Sequence, residues 1–378
     1  MHIAIALGPF LGLPPDPCGA VERVWLGLGE EFAARGHQVT IVLRRDAGHE
    51  REEKRGGLRI LRTSAYSRSN RTGPDLFKDF FYSRRAALRA PRADILVTNS
   101  FFLPIVQKML PLKRQNLHVN VQRFPKKQMG LYLNARRLAA VSGPVAQAIA
   151  EQTPRAAKLV KVFSNPIDVH TMTPPPVPRD FSGVKTLIYT GRITEEKGIH
   201  LLIAAFRLAH DKHPELRLRL VGPWKSTQGG GGETYMAALK KLAGETAVEF
   251  VEPLFDLKLL AAELQRAHYY AYPSLADRGE SFGVAPLEAM ATGLVPILSS
   301  LEVFRDYATD GENAIFFNHR TDAAAVNLCA AICRSVEGHE ERMRMSAAAV
   351  RRAQDFSYEN VASAYLADFE EILKESRR

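Results

Sequence analysis

Residues 174–178 read Pro-Pro-Pro-Val-Pro, and neither a helix nor a central strand passes through four prolines in five residues. The same pattern runs on either side of this break. Before it, residues 3–7, 38–43, 94–98, 117–121 and 137–141 read as short apolar strands. Residues 20–35 and a segment starting at Ser142 read as helices between them. After it, strands at 185–190, 216–221, 247–251, 269–272 and 295–299 alternate with helices at 198–210, 233–243, 256–266 and 286–292. Strands of four to six apolar residues separated by helices predict α/β architecture with parallel, doubly wound, Rossmann-like sheets. A chain of 378 residues is long enough for two such domains. The reading is an N-terminal domain over 1–170, a linker over 171–183, a C-terminal domain over 184–356 and a closing amphipathic helix over 357–378. The two domains are expected to face each other across a cleft. Residues 228–233, Gln-Gly-Gly-Gly-Gly-Glu, are expected to form a mobile loop.

Charge is divided unevenly along this plan. Residues 1–170 hold 27 Lys and Arg against 13 Asp and Glu, whereas residues 171–378 hold 24 against 28. A basic first half implies an anionic partner: a phosphorylated glycan, a lipid phosphate, an anionic membrane face or nucleic acid. No nucleic-acid motif accompanies the charge. The opening Met-His-Ile-Ala-Ile-Ala-Leu reads as a first strand and not as a secretory leader, and no run of 18 apolar residues occurs. Cys18, Cys329 and Cys333 are few and odd in number, and no His or Cys cluster adjoins the last two in sequence. They read as buried thiols in a reducing compartment, so a cytoplasmic location is expected and neither disulfide nor metal site is.

Two segments carry chemistry. The first follows the strand at 185–190, where Gly191, Arg192, Lys197 and Gly198 surround a turn into a helix. Ligands of doubly wound sheets sit at this carboxyl end of a strand. Arg offers a planar fork to phosphate oxygens and Lys a movable point charge. The second is Glu280-Ser-Phe-Gly-Val-Ala-Pro-Leu-Glu288. Gly283 and Pro286 place a helix start between the two glutamates, so Glu280 lies on the loop and Glu288 within the first turns. The amides of Phe282, Gly283 and Val284 then point out of a helix N-terminus, a geometry suited to anions and hydroxyls. Two carboxylates beside a row of donors suit a sugar nucleotide.

Together, Gly191-Arg-x4-Lys-Gly198, Tyr272-Pro-Ser274 and Glu280-x-Phe-Gly-x4-Glu288-Ala-Met resemble family 4 of the retaining glycosyltransferases, which have the GT-B fold. The segment at 33–40, Asn165-Pro-Ile-Asp168 and the C-terminal helix extend the resemblance over most of the chain. It implies a transferase of the hexosyltransferase class that uses a nucleoside-diphosphate sugar, UDP-linked, as co-substrate, with no further cofactor and no metal. Arg192 and Lys197 would bind the diphosphate and offset its charge on departure. Glu280, with Ser281 and the amides of Phe282, Gly283 and Val284, would hold the transferred sugar, and Glu288 the ribose. Gly19 and Ala20 stand where many relatives have two glycines, in the loop from Pro17 to Arg23. Gln122 stands where many have a histidine, with His118 four residues earlier. Ser300-Leu-Glu302 replaces another common glycine pair.

In this fold the first domain takes the acceptor, so Gln122, Arg123 and Lys126 are expected on the acceptor side. A saccharide or lipid-linked, anionic acceptor is expected, as in assembly of surface polysaccharide or lipopolysaccharide at the inner face of the membrane. Arg68, Arg71, Lys78, Arg84, Arg85 and Arg89 lie around Phe77, Phe80, Phe81 and Tyr82. That mixture suits either contact with anionic lipid or ordinary packing under a solvated face. A sugar-nucleotide epimerase or hydrolase of the same fold, and a basic nucleic-acid-binding or scaffold protein, remain alternatives at this level.

Overall fold

In the computed structural model, residues 1–13, 19–67, 69, 72–110 and 115–377 are described. Pro17, Cys18, Arg68 and Arg71 lie outside them. The first part of the chain contains β1 (His2–Ala6), α1 (Ala20–Ala34), β2 (Gln38–Arg45), β3 (Glu52–Arg55), β4 (Leu58–Ser64), α2 (Thr72–Arg89), β5 (Ile95–Thr98), α3 (Leu103–Met109), β6 (Asn116–Val121), β7 (Arg137–Ala140), α4 (Gly143–Gln152) and β8 (Val160–Val162). Among the described residues these strands form one sheet in the order β3-β4-β2-β1-β5-β6-β7-β8, parallel throughout except for the antiparallel β3–β4 hairpin. Fully buried Ile3, Ile5, Ile41, Ile95 and Val97 explain the parallel arrangement, because strands covered on both faces need no polar side. Ser142 caps α4 by accepting from the Val145 amide, which satisfies one of the helix's unpaired donors.

The second part restarts the alternation with β9 (Lys185–Thr190), α5 (Ile199–His210), β10 (Leu216–Val221), α6 (Gly232–Ala243), β11 (Val248–Val251), α7 (Leu257–Arg266), β12 (Tyr269–Tyr272), α8 (Val284–Ala291), β13 (Pro296–Ser299), β14 (Ile315–Phe317), α9 (Ala324–Glu337) and α10 (His339–Gln354). Its strands form a second parallel sheet, in the order β11-β10-β9-β12-β13-β14. Crossing back past β9 puts β12 beside it, at the point where the strand order reverses. The last helix, α11 (Tyr358–Arg377), belongs to the first unit.

By contacts the chain divides into Met1–Pro166 with Tyr358–Arg378, and Ile167–Ser357. The proline-rich segment lies in the second unit. There Arg179 is bound by its guanidinium to the carbonyls of Ala267 and Thr292, at 2.5 and 2.8 Å. Burial lowers its pKa to about 10.

Helix α11 completes the first unit's core. Val361, Ala362, Tyr365, Leu366, Phe369 and Ile372 pack with Trp25, Leu28 and Phe32 of α1 and with the sheet. Beneath it sits a charge network: Asp368 is ion-paired with Arg137 and Lys161 at 2.9 and 3.0 Å, and His118 approaches at 3.5 Å. His118 is therefore a packed strand residue, ringed by Phe163, Tyr365 and Phe369.

The expected mobile glycine loop is instead a hydrogen-bonded turn. Gly230 and Gly232 donate to Lys225 and Trp224 carbonyls, and Gly231 to that of Ile193, all within 3.0 Å. A Cβ on Gly230 would lie 2.2 Å from the Trp224 backbone, so the run is glycine for close packing.

Candidate donor site

The carboxyl ends of β9 and β12 gather the chemistry-bearing residues of the second unit. Gly191 leaves β9 at φ +143°, and a single 3-10 turn follows over Glu195–Lys197. Gly198 then closes this turn at φ +69°, where a Cβ would lie 2.2 Å from the Pro273 carbonyl oxygen. Only glycine lets the β9 and β12 loops approach this closely. The Leu275 amide ties them further by donating to the Glu196 carbonyl at 2.8 Å.

This approach brings Lys197 to Glu280. Its Nζ donates to Oε2 at 2.5 Å, and both side chains are buried, 6% and 8% exposed. Lys197 Nζ also lies 5.3 Å from the centroid of the Tyr272 ring, a cation–π contact, and Tyr272 stacks on Tyr189 at 5.5 Å. The sequence treats Lys197 and Glu280 as separate holders of diphosphate and sugar; the structure joins them as one pair. Arg192 differs. It is exposed, pairs with Glu196 at 2.9 Å and donates to the Gly229 carbonyl at 3.2 Å.

Phe282 is buried, and Gly283, at φ +84°, is the residue from which α8 starts. Helix α8 begins at Val284, two residues before the position read from Pro286. The first amides of a helix have no carbonyl one turn earlier to receive them. The Gly283 carbonyl accepts from the buried Tyr307 hydroxyl at 2.9 Å, which fixes the entry to the helix. Ser281 and Glu288 are half-buried on either side.

A group of tyrosines supports these loops; in the sequence Tyr272 stands out in Tyr272-Pro-Ser274, while Tyr189 and Tyr270 read only as parts of strands. The Tyr189 hydroxyl donates to the Arg192 carbonyl at 2.8 Å, and the Tyr270 and Thr190 hydroxyls share a hydrogen bond at 3.2 Å. Burial, with the Glu280 charge adding to it, pushes the hydroxyls of Tyr189, Tyr270, Tyr272 and Tyr307 well above the usual phenol range. They are neutral hydroxyls beside Glu280.

In the first unit Gly19 is the N-cap of α1 and Ala20 its first residue. A Cβ on Gly19 would lie 2.4 Å from Glu22 Oε2. Glu22 is the third helical residue, and its carboxylate reaches back to the Gly19 amide, as in the returning half of a capping box. Burial raises its pKa. The Gly19 amide thus already faces a carboxylate of its own helix.

Gln122, at the end of β6, is held in a reciprocal amide pair. Its Nε2 donates to Asn165 Oδ1 at 2.8 Å and its Oε1 accepts from Asn165 Nδ2 at 3.0 Å. Nε2 also reaches Asn120 Oδ1 at 2.8 Å. Arg123 and Lys126 are exposed beyond it. On α2 the aromatic group is mixed: Tyr82 is fully buried and Phe80 packs on Phe102, whereas Phe77 is 66% exposed.

The cysteine reading holds for burial. Cys329 and Cys333 are buried free thiols, but fold contacts bring His213 and Glu337 to Cys333, with ligand atoms of all three within 4.8 Å of one another. His213 comes from the turn after α5, a long-range neighbour that sequence adjacency does not reveal.

Two family descriptions match the chain. "Glycosyl transferases group 1" matches residues 176–352, and "Glycosyl transferase 4-like domain" matches residues 19–166. The protein belongs to the group 1 glycosyltransferases, and its two parallel-sheet α/β units are the domains of that fold class. Among solved structures it is similar to sucrose-phosphate synthase from Thermosynechococcus elongatus, with a TM-score of 0.76, 18% identity and 99% of each chain covered.

Among curated relatives it is 29% identical over 195 residues to a D-inositol 3-phosphate glycosyltransferase of Streptomyces griseus, covering 50% of this chain and 40% of that protein. It is 26% identical over 193 residues to a GDP-mannose:cellobiosyl-diphosphopolyprenol alpha-mannosyltransferase of Xanthomonas oryzae, covering 50% and 47%. The matches therefore span less than half the length of these relatives.

Proposed function

We propose that the protein moves a sugar, with retention, from a nucleoside-diphosphate sugar to a hydroxyl of a phosphate-bearing saccharide or lipid-linked acceptor. The observation that carries this reading is the buried Lys197–Glu280 pair beside the N-terminus of α8, at the carboxyl ends of β9 and β12. Lys197 and Arg192 meet the donor diphosphate, the tyrosine-ringed Glu280 and the amides of Phe282 to Val284 meet sugar hydroxyls, and Glu288 meets the ribose. The bond from the anomeric carbon to the phosphate oxygen breaks, and its electron pair leaves with the phosphate. The acceptor oxygen bonds to the same face of that carbon and gives its proton to the departing phosphate. The cations offset the charge as it develops, so no metal is needed.

An anionic acceptor fits the basic first 170 residues. Both relatives named above carry a phosphate or diphosphate in the acceptor part of their names. A UDP-linked donor is our reading, and one relative's name specifies GDP-mannose, so both bases belong in the test. The setting we propose is assembly of a surface polysaccharide or lipopolysaccharide at the inner face of the membrane. No helix among the described residues is long and apolar enough to cross a bilayer.

The test is a thermal-shift screen of UDP- and GDP-sugars, followed by radiolabelled transfer with EDTA present. Stabilisation by one donor and label appearing in a phosphorylated acceptor are expected. Release of free sugar or an epimer without transfer would assign the hydrolase or epimerase reading instead. Activity restored only by added divalent cation would remove the metal-free mechanism.

A further inference from the structure

We propose that the second unit carries a zinc-type site, remote from the β9 and β12 loops, formed by His213, Cys333 and Glu337. The ligand atoms of the three lie within 4.8 Å of one another. Around a tetrahedral zinc with bonds of about 2.0–2.3 Å, ligand atoms are about 3.3–3.8 Å apart, so side-chain adjustment of about 1 Å closes the set. A thiol, an imidazole and a carboxylate form the mixed donor set that borderline-soft divalent cations prefer.

The scaffold holds these groups on two fixed elements. Cys333 and Glu337 are one turn apart on α9, on the same helical face. His213 lies in the turn between α5 and β10, and its backbone is fixed there by hydrogen bonds to Ala209 and from Leu216, at 2.9 and 3.0 Å. Its two ring nitrogens have different neighbours. Nε2 is 3.1 Å from Glu337, and Nδ1 is 3.8 Å from the Glu215 carboxylate, which Lys185 holds in turn at 3.2 Å. A carboxylate behind the imidazole is how ligating histidines are oriented and made more basic.

Cys333 is buried, whereas the Glu337 side chain is 64% exposed, which leaves a solvent-facing position for water as the fourth ligand. The site lies where β10 begins, at the opposite end of the strands from Lys197 and Glu280. Its role is to clamp α9 to the turn after α5.

Cobalt(II) is the probe, added to the purified full chain, with zinc as competitor. The expected result is a tetrahedral visible spectrum with a thiolate-to-cobalt charge-transfer band, bleached by one equivalent of zinc. Cys333→Ser removes that band and Cys18→Ser leaves it. Glu215→Gln weakens zinc binding about 10- to 100-fold, as loss of an orienting partner does. Should Cys333→Ser fail to fold, His213→Gln and Glu337→Gln, at less buried positions, are each expected to weaken cobalt binding at least tenfold. Absence of a thiolate band, or unchanged affinity in both of those variants, overturns the proposal.

Discussion

Lys197 Nζ and Glu280 Oε2, 83 residues apart in sequence, meet at 2.5 Å in a site where both side chains are buried. Removing one member leaves the other as an uncompensated buried charge, which typically costs about 3–5 kcal/mol. Lys197→Ala and Glu280→Gln are each expected to lower the urea midpoint of the second unit markedly and to reduce transfer at least about 100-fold. The double change Lys197→Met with Glu280→Leu should recover most of the stability and none of the activity. A double variant as unstable as the singles would show that the pair is not self-contained.

Gly198 and Gly244 form an internal comparison. Both have positive φ, +69° and +58°, but a Cβ at Gly198 meets the Pro273 carbonyl at 2.2 Å, whereas at Gly244 it meets nothing within 4 Å. Gly244→Ala should cost only the conformational penalty of φ +58° with ψ −131°, about 1–3 kcal/mol. Gly198→Ala adds a backbone clash that forces the β9 and β12 loops apart. It should destabilise by a further 1–3 kcal/mol, roughly the overpacking range, and weaken donor binding in a titration. Equal effects of the two substitutions would contradict the close approach.

Much of the architecture was legible because its signals are local. The strands Lys185–Thr190, Leu216–Val221 and Tyr269–Tyr272 begin and end where apolar runs meet Gly, Pro or charge. The hairpin β3–β4 was not legible, since Glu52–Arg55 is wholly charged and earns its place only by pairing with a buried neighbour. The Lys197–Glu280 contact required knowing that β12 lies beside β9, a fact of strand order that no spacing encodes. The glycine run at 229–232 misled because glycine serves close packing as readily as it serves freedom.

Acid should loosen the seat of α11. Burial alone would raise the Asp368 pKa, but the neighbouring His118, Arg137 and Lys161 outweigh it and hold the carboxyl well below its ordinary 3.8. A carboxylate with a depressed native pKa contributes stability in full above its unfolded value, and loses it as pH falls from there through the native value. Stability of the first unit should therefore drop below about pH 4 in urea titrations followed by Trp25 fluorescence. Asp368→Asn should lower stability at neutral pH and flatten that acid limb. An unchanged limb would place the acid sensitivity elsewhere.

Contact of the first unit with an anionic membrane face, the setting in which we propose the reaction, predicts a particular pattern of vesicle binding. Phe77 is 66% and Leu88 46% exposed on α2, which also carries Arg84 and Arg89 on its exposed surface. Sedimentation with vesicles should require anionic lipid, weaken as salt rises and fall in Phe77→Ser. Equal binding to neutral vesicles would remove the basic surface from the account.

Helix α11 supplies Tyr365, Phe369 and Ile372 to a core otherwise built from residues before 167. On the ribosome, the first unit has its sheet early but cannot bury α1 fully until everything up to Phe369 has emerged, the whole second unit included. The order of synthesis and the order of completion are thus reversed: the unit begun first is finished last. During that interval the apolar face of α1 stays open to water and to chaperones.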